Sequence, residues 1–413
     1  MRRLVLALLL SLAAPLAARA ASTSDLVQRG EYLTRAADCA ACHTAPGGTT
    51  YAGGRQFQLP FGDLYSPNIT PDKETGIGQY TDAQFIRVLH RGIGREGQHL
   101  YPAMPYPSYT KMSDEDALAI KAYLFSLPPV HAPTKPNNFG FPFNQRWLMV
   151  FWNLINNPDS RLQSDPSKSA AWNRGAYLVE ALGHCAECHT PRNFMQAKSS
   201  RQFAGTIQAG WFAYNLTSDP VHGIGAWSDA SLEEFLSTGK APGHGLASGP
   251  MAEAIEYSLR YMTPDDIAAM VTYLRTIPAR DDGPAIVPAT VTPLSTASLG
   301  EHIFIRACAG CHLPNGTGRQ SPWAALGGDH STGDVTGTNV VQVLTNGSQI
   351  ETNEGLMFMH PFTGAYTDDE LAAVGNYVIG QFSGRQGQVT PQQISKARQE
   401  TAPKAGPASG GGS

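Results

Sequence analysis

Three short stretches decide how this chain folds: CAACH at 39–43, CAECH at 185–189 and CAGCH at 308–312. Together they use all six cysteines of the 413-residue chain. Two thiols three positions apart can form thioethers with the two vinyl groups of one porphyrin, and the histidine that follows can bind its iron. The predicted attachment residues are Cys39, Cys42, Cys185, Cys188, Cys308 and Cys311, with His43, His189 and His312 as iron ligands. The sequence therefore predicts three covalently bound haem c groups.

Two other uses of paired cysteines compete with haem attachment. A single Cys-x-x-Cys pair would equally suit a zinc site or a redox-active dithiol. A zinc site that uses two Cys-x-x-Cys pairs would leave the third pair without a partner. Neither alternative explains why a histidine follows each of the three pairs directly. With every cysteine used in a motif, no structural disulfide is expected.

The first two motifs lie in recognisable copies of one sequence unit. The first copy reads RGEYLTRAADCAACHT and later SPNITPDKETGIGQYTD, and the second reads RGAYLVEALGHCAECHT and later AYNLTSDPVHGIGAWSD. The third copy keeps LGEHIFIRACAGCH and then diverges. Each copy ends in an amphipathic pattern that starts at a Ser or Thr cap with acids in the first turn, at Ser113, Thr263 and Thr367. Repetition at this spacing indicates tandem helical domains of one kind.

Domain boundaries are expected where the chain becomes rich in proline and polar residues. The pattern predicts an all-α fold with a signal peptide at 1–20, domains at 25–130, 170–280 and 296–385, linkers at 131–169 and 281–295, and a disordered polar tail at 386–413.

A haem iron with one histidine ligand needs a sixth ligand to form a closed electron-transfer centre, and methionine sulfur is a common one. A methionine precedes the closing helix in each copy: Met104, Met251 and Met359. An isolated buried methionine normally belongs to the core, but recurrence at one topological position predicts three axial ligands. Met357 and His360 compete with Met359 for the third iron, and His99 competes with Met104.

Two arginines occupy corresponding positions after the first two motifs, Arg55 and Arg201. A guanidinium can hold a haem propionate through two parallel hydrogen bonds. It can equally form an ordinary surface ion pair, and the sequence leaves both roles open.

The first twenty residues resemble a secretory signal: Arg2 and Arg3, an apolar run, and Ala18-Arg19-Ala20 as a small-residue cleavage site. The mature chain is expected to start near Ala21, in the bacterial periplasm, where haem c is attached. An uncleaved anchor is the alternative, although the apolar run is shorter than the ~20 residues of a spanning helix. The net charge of −4 argues against nucleic acid and favours docking to protein.

The apolar stretch WLMVFWNLI at 147–155 is unusual for a connection between two copies. It is too short to cross a bilayer. Packing between domains is one role that fits it, and a surface patch for a protein partner or the membrane interface is the other. We expect it to dock the partner or the membrane.

The repeated blocks and the stretch YPAMPYPSYTKMSDEDALAIKAYLFSLPPV resemble the triheme cytochrome c subunits of bacterial periplasmic, membrane-associated dehydrogenases. That family includes partners of quinoprotein alcohol dehydrogenase, of flavin-dependent gluconate and sorbitol dehydrogenases, and of molybdenum aldehyde dehydrogenases. The resemblance implies class I cytochrome c domains with Met104, Met251 and Met359 at the family's axial positions. It also implies electron transfer from a catalytic dehydrogenase subunit to ubiquinone or a downstream cytochrome or oxidase.

The expected function is therefore an electron-transfer subunit without catalytic residues of its own, held peripherally at the periplasmic face of the inner membrane. A free-standing soluble periplasmic electron carrier is the first alternative. A haem enzyme with an open iron position is the second, and the three loop methionines argue against it. The chain has no nucleotide-binding glycine fingerprint and no nucleophile triad.

Overall fold

The fold is provided by a computed structural model that describes residues 22–281, 298–319, 322–352 and 354–399. The predicted signal peptide at 1–20 and nearly all of the predicted linker at 281–295 lie outside these ranges. The chain is divided below by its three motifs into segment one (22–130), segment two (170–281) and segment three (298–399).

Segment one opens and closes with a long helix. Its elements are α1 (Thr23–Ala36), α2 (Cys39–His43), β1 (Gln56–Leu59), β2 (Gly62–Tyr65), α3 (Asp82–Arg91), α4 (Tyr106–Tyr109) and α5 (Asp114–Ser126). The connection to segment two contains β3 (Asn138–Phe139), a 3-10 turn (Arg146–Leu148) and α6 (Met149–Asn156).

Segments two and three follow the same plan with different inserts. Segment two has α7 (Ala170–Tyr177), a π-helical turn (Leu178–Leu182), α8 (Ala186–His189), β4 (Thr206–Gln208), β5 (Trp211–Ala213), α9 (Asp229–Thr238), β6 (Lys240–Ala241), β7 (Gly245–Leu246), α10 (Pro250–Tyr257), a 3-10 turn (Leu259–Tyr261) and α11 (Pro264–Leu274). Segment three has α12 (Leu299–Ile303), a π-helical turn (Phe304–Cys308), α13 (Ala309–His312), a 3-10 turn (Pro322–Ala324), α14 (His330–Gly333), α15 (Thr338–Asn346), β8 (Ser348–Thr352), β9 (Gly355–Met359), α16 (Asp368–Ser383) and α17 (Pro391–Gln399).

The closing helices α5, α11 and α16 begin where the sequence predicts. Each N-cap hydroxyl accepts a hydrogen bond from the backbone N–H of the third helical residue, in the pairs Ser113–Asp116, Thr263–Asp266 and Thr367–Glu370. The acids of the first turn lie at the positive end of the helix dipole. The prediction of three capped closing helices is confirmed.

In each segment the opening helix crosses the closing helix at a glycine. The pairs in contact are α1 with α5, α7 with α11 and α12 with α16. A Cβ added to Gly30 or Gly175 would lie 1.9 Å from the carbonyl oxygen of Ala119 or Ala269. In segment three the corresponding distance, from Gly300 to the Ala373 oxygen, is 2.2 Å. No side chain fits at such distances, so glycine lets the two backbones touch.

Segments one and two meet through two reciprocal hydrogen bonds. The Tyr32 hydroxyl of α1 donates to Oδ2 of Asp266 at the start of α11 (2.6 Å). The Tyr177 hydroxyl of α7 donates in turn to Oδ2 of Asp116 at the start of α5 (2.6 Å). The two tyrosines occupy corresponding positions in the repeats, and so do the two aspartates. The interface therefore has local two-fold character.

The same two carboxylates also pair with an arginine within their own segment. Arg29 contacts Asp116 at 2.5 Å, and Arg174 contacts Asp266 through two hydrogen bonds of 2.7 and 2.8 Å. Burial, together with the hydrogen bond to Asp266, raises the pKa of Tyr32. The hydroxyl therefore stays protonated and remains a donor.

The hydrophobic cores also show that segments one and two pack against each other. Buried residues of segments one and two form one continuous cluster, which includes Leu33, Ile120, Leu178 and Met270 and also contains Ile350 of segment three. Segment three has a cluster of its own around α12, α15, α16 and α17. At the positions of Tyr32 and Asp116, segment three carries His302 and Glu370, so the tyrosine–aspartate pairing is not repeated there.

The prediction of an all-α fold needs correction. Besides the helices, the described residues form four small antiparallel sheets: β1–β2–β3, β4–β5, β6–β7 and β8–β9. Their strands are two to five residues long. Pairing of such short strands depends on turn geometry and neighbouring packing more than on side-chain alternation.

Two regions that were predicted as a linker and as a disordered tail contain secondary structure. The predicted linker at 131–169 is structured in part, because β3 pairs with β2 and α6 packs through Trp152. The predicted disordered tail at 386–413 contains α17, whose Ile394 and Ala397 are buried against the core of segment three. A polar helix with two buried positions gives too weak a periodic signal to be recognised from sequence.

The glycine crossing can be tested by adding one methyl group. Gly175→Ala should lower the free energy of unfolding by about 3 kcal/mol, because overpacking forces the two helix backbones apart. Urea denaturation of the haem-loaded protein, followed by circular dichroism, measures the change. Gly140→Ala is the matched control, since a Cβ there meets nothing within 4 Å. Equal stability of the two variants would contradict the crossing.

Candidate haem sites

Each Cys-x-x-Cys-His motif forms a short helix directly after an opening helix. In segments one and two the residue before the first cysteine has a left-handed backbone, with φ of 51° at Asp38 and 40° at His184. In segment three the chain instead reaches Cys308 through a π-helical turn. The opening helix thus determines where each cysteine pair lies.

The three motif histidines share one hydrogen-bond arrangement. Each Nδ1 lies 2.6 to 2.7 Å from a backbone carbonyl oxygen, in the pairs His43–Pro67, His189–Tyr214 and His312–Ala324. The proton therefore resides on Nδ1, and Nε2 is left as the ligand atom. Burial lowers the pKa of all three imidazoles, although the carbonyl bond opposes this, so they are neutral at pH 7. A neutral imidazole with a bonded Nδ1–H is the form that binds haem iron.

All six cysteines are free in the structure, as thioether formation requires. Burial raises the pKa of Cys39, Cys42 and Cys185 to about 12. A redox-active dithiol needs a lowered thiol pKa, since the thiolate is the reactive form. The surroundings of these cysteines therefore favour the haem interpretation over the dithiol interpretation.

The predicted axial methionines all lie at the edge of a core. Met104, in the loop before α4, is partly buried against the shared core and against Tyr106 and Trp152. Met251, the second residue of α10, is partly buried against the shared core. Met359, the last residue of β9, packs against the core of segment three.

The competing ligands lie elsewhere. Met357 packs against the shared core of segments one and two and not against that of segment three. His360 is exposed, with its ring 4.9 Å from that of Phe358. His99 Nδ1 lies 3.3 Å from the amide nitrogen of Asn153 in α6. Met359 packs against the core of its own segment, as Met104 and Met251 do, whereas Met357 does not.

Arg55 lies in a buried polar contact between the first motif and α10. It is buried, donates to the Ala41 carbonyl inside the first motif, and forms an ion pair of 2.8 Å with Glu253 of α10. Glu253 follows Met251 by two residues. The pair therefore connects the first motif to the helix that carries the candidate ligand of the second.

A second polar cluster joins the first two motifs through α4. Glu187, the central residue of CAECH, accepts a hydrogen bond from Ser108 (2.7 Å) and pairs with Arg192 and Lys198. Burial alone would raise the pKa of Glu187, but the two cations lower it to about 2. A buried carboxylate inside the motif is thus ionised and fully paired.

Tyr109, the last residue of α4, completes this connection. Its hydroxyl donates to the Ala37 carbonyl (2.6 Å), and its ring lies 5.7 Å from that of His184. Ala37 precedes the first motif by two residues, and His184 immediately precedes the second. The sequence did not predict the role of Tyr109 or the cluster around Glu187, although an acid within a Cys-x-x-Cys pair is a visible signal for the latter.

Comparisons with known proteins agree with this geometry. The family model for cytochrome c matches residues 27–128, and that for subunit III of cbb3-type cytochrome c oxidase matches residues 295–378. These matches identify cytochrome c domains in segments one and three.

Similar proteins cover most of the chain. The cytochrome subunit of fructose dehydrogenase from Gluconobacter japonicus is 37% identical over 90% of this chain and 82% of its own. The cytochrome c subunit of gluconate 2-dehydrogenase from Pantoea cypripedii is 35% identical over 91% and 90%. That of quinone-dependent alcohol dehydrogenase from Gluconobacter oxydans is 35% identical over 92% and 83%. The resemblance inferred from the repeated blocks is confirmed: this chain belongs to the family of cytochrome c subunits of dehydrogenase complexes, which transfer electrons and are not the catalytic subunits.

Proposed function

We propose that this chain binds three haem c groups and relays electrons from the catalytic subunit of a periplasmic dehydrogenase to ubiquinone or another respiratory acceptor. The observation that carries the proposal is the recurrence of one site three times. Each copy has two free cysteines, a neutral histidine whose Nδ1 is bonded to a carbonyl, and a methionine at the core edge.

The proposed ligand set assigns one role to each residue type. Cys39, Cys42, Cys185, Cys188, Cys308 and Cys311 attach the porphyrins, and the axial pairs are His43 with Met104, His189 with Met251 and His312 with Met359. Bound haem would supply one-electron redox chemistry at a six-coordinate iron. The protein orients each imidazole through its Nδ1–carbonyl bond and surrounds the site with apolar residues.

The three sites are proposed to lie in three tandem cytochrome c domains, which correspond to segments one, two and three. The first two motifs are connected by α4, by the Arg55–Glu253 pair and by the shared core. Residues of both motifs thus contact one packed unit, which would hold their haems at a fixed separation. Electron transfer between cofactors benefits from such a fixed arrangement because no domain motion has to precede it.

The partner is proposed from the relatives. The similar chains are subunits of dehydrogenases for fructose, gluconate and alcohol, so a catalytic subunit of a flavin, quinoprotein or molybdenum type is expected here. The proposed location is the periplasmic face of the inner membrane, with peripheral attachment. In the described parts of the chain, no helix is both long enough and apolar enough to span a bilayer.

The electron-transfer role can be tested with the native complex. When the chain is purified from its own membranes together with its catalytic subunit, the substrate of that subunit should reduce the haem absorbance bands. The isolated chain should remain oxidised with fructose, gluconate or ethanol, because it has no catalytic residues. Reduction of the isolated chain by one of these compounds would contradict the assignment.

The number of haems can be counted by mass. The denatured, exported chain should carry the added mass of three haems, since thioether bonds survive denaturation. Cys311→Ser with Cys308→Ser should reduce the count by one without affecting the other two. A wild-type chain with one or two haems would show that a motif is unused.

The axial methionines can be tested by ligand access. Met104→Ala, Met251→Ala or Met359→Ala should each open one ferric iron to imidazole and remove about a third of the sulfur-to-iron absorption. Met357→Ala is the matched control, because it lies on the same strand two residues from Met359. If Met357→Ala or His360→Ala opens the third iron and Met359→Ala does not, the third assignment is wrong.

A further inference from the structure

The segment at 147–155 has two different faces. Trp152 is buried, donates its indole N–H to the Met195 carbonyl (2.8 Å) and packs its ring on Tyr106. Trp147, Val150, Phe151, Leu154 and Ile155 are exposed. These five follow the spacing i, i+3, i+4, i+7, i+8, which is one continuous stripe along a helix. A surface helix normally buries its apolar face, but here an apolar stripe faces the solvent.

Three further exposed aromatic side chains lie near this segment in the chain or next to its anchoring residue. Phe141 and Phe143 precede it in the chain, and Phe143 stacks on Phe61 at 4.4 Å. Phe194, which is 93% exposed, is adjacent to the residue that anchors Trp152. We call these eight exposed residues the apolar face: Phe141, Phe143, Trp147, Val150, Phe151, Leu154, Ile155 and Phe194.

Two asparagines at the end of this segment direct their side chains into the protein. Asn153 accepts a hydrogen bond from the Tyr106 hydroxyl (2.7 Å) and donates to the Arg91 carbonyl (3.2 Å). Asn157 donates to the His90 carbonyl (3.1 Å). Trp147 carries the one polar side-chain atom of the stripe, and its indole N–H donates to Gln145 at 3.4 Å. The stripe therefore offers no directional contacts of the kind that a protein interface normally contains.

Few charged side chains lie near the stripe in the chain, which also favours a lipid surface. From 139 to 158 the chain has one charged side chain, Arg146, and no acid. The next acid, Asp159, is paired with both Arg91 and Arg161. A single cation at the border of a strongly apolar face is complementary to an anionic lipid headgroup above hydrocarbon.

We infer that the apolar face inserts into the membrane interface and binds an anionic lipid surface through α6, which lies in the plane of the bilayer. The inference rests on the proposed function, because it names the surface by which an electron-transfer subunit reaches a membrane-dissolved acceptor. Met104 packs against the cluster of Tyr106 and Trp152 that supports α6. The lipid-binding face is therefore next to the proposed ligand loop of the first haem.

The test uses the full haem-loaded chain without any dehydrogenase. Binding to vesicles of phosphatidylcholine, with and without phosphatidylglycerol, is measured by sedimentation and haem absorbance. Phe151→Ser and Leu154→Ser should each lower the partition coefficient roughly tenfold or more, since each removes one buried apolar side chain. Arg146→Gln should weaken binding to the vesicles that contain phosphatidylglycerol and leave binding to phosphatidylcholine unchanged.

Matched controls are available on other surfaces. Ile207→Ser and Leu356→Ser alter side chains that are 61% and 57% exposed outside the apolar face, and they should leave vesicle binding within about twofold of wild type. Failure of the wild-type chain to bind either vesicle would overturn the inference. So would equal losses in the control and face variants.

Other occupants of the face give distinct results. If Phe151→Ser weakens co-purification with the catalytic subunit but leaves vesicle binding intact, the face is a protein interface and the lipid inference is wrong. If the same variant converts a dimer to a monomer, the occupant is a second copy of the chain, and the inference is again wrong. Substrate-driven haem reduction in the complex is measured separately, so a failure of the proposed electron-transfer role would be recognised independently of lipid binding.

Discussion

The close crossing of opening and closing helices is the constraint on which the rest of the structure depends. Glycine at the crossing brings two helix backbones into direct contact, at distances that no side chain permits. The C-terminal end of the opening helix then determines where the cysteine pair and its histidine lie. The N-terminal end of the closing helix presents the capped acids, two of which form the contact between segments one and two. Haem attachment and domain association are thus both fixed by one backbone contact.

The local features of the chain could be predicted from its sequence, and the non-local ones could not. The caps at Ser113, Thr263 and Thr367 and the motif helices depend on neighbouring residues, so the sequence indicated them directly. The core shared by segments one and two depends on residues far apart in the chain, and repetition alone suggested separate domains. Helix α17 was missed because its burial at Ile394 depends on packing against α15 and α16.

At the candidate sites too, residues defined by local spacing could be predicted and residues with distant partners could not. The cysteines, the histidines and the choice of methionine positions followed from spacing and recurrence. The groups that connect the first two sites did not, because their partners are distant in sequence: Arg55 with Glu253, and Ser108 with Glu187. For Arg55 the sequence predicts either a propionate contact or an ordinary surface ion pair. The pair with Glu253 is largely buried, unlike an ordinary surface pair, and the propionate contact stays a prediction. One sequence can identify a ligand by its residue type, but it does not show contacts between residues that are far apart in the chain.

The reciprocal Tyr–Asp bonds have a consequence for how segments one and two behave together. Two equivalent contacts related by a two-fold axis are what identical subunits form in a homodimer. Here both halves belong to one polypeptide, so their association does not follow mass action and cannot be lost on dilution. A pair of separate single-haem proteins with the same interface would lose its contact at low concentration. The covalent connection keeps the first two motifs together at any concentration of the protein.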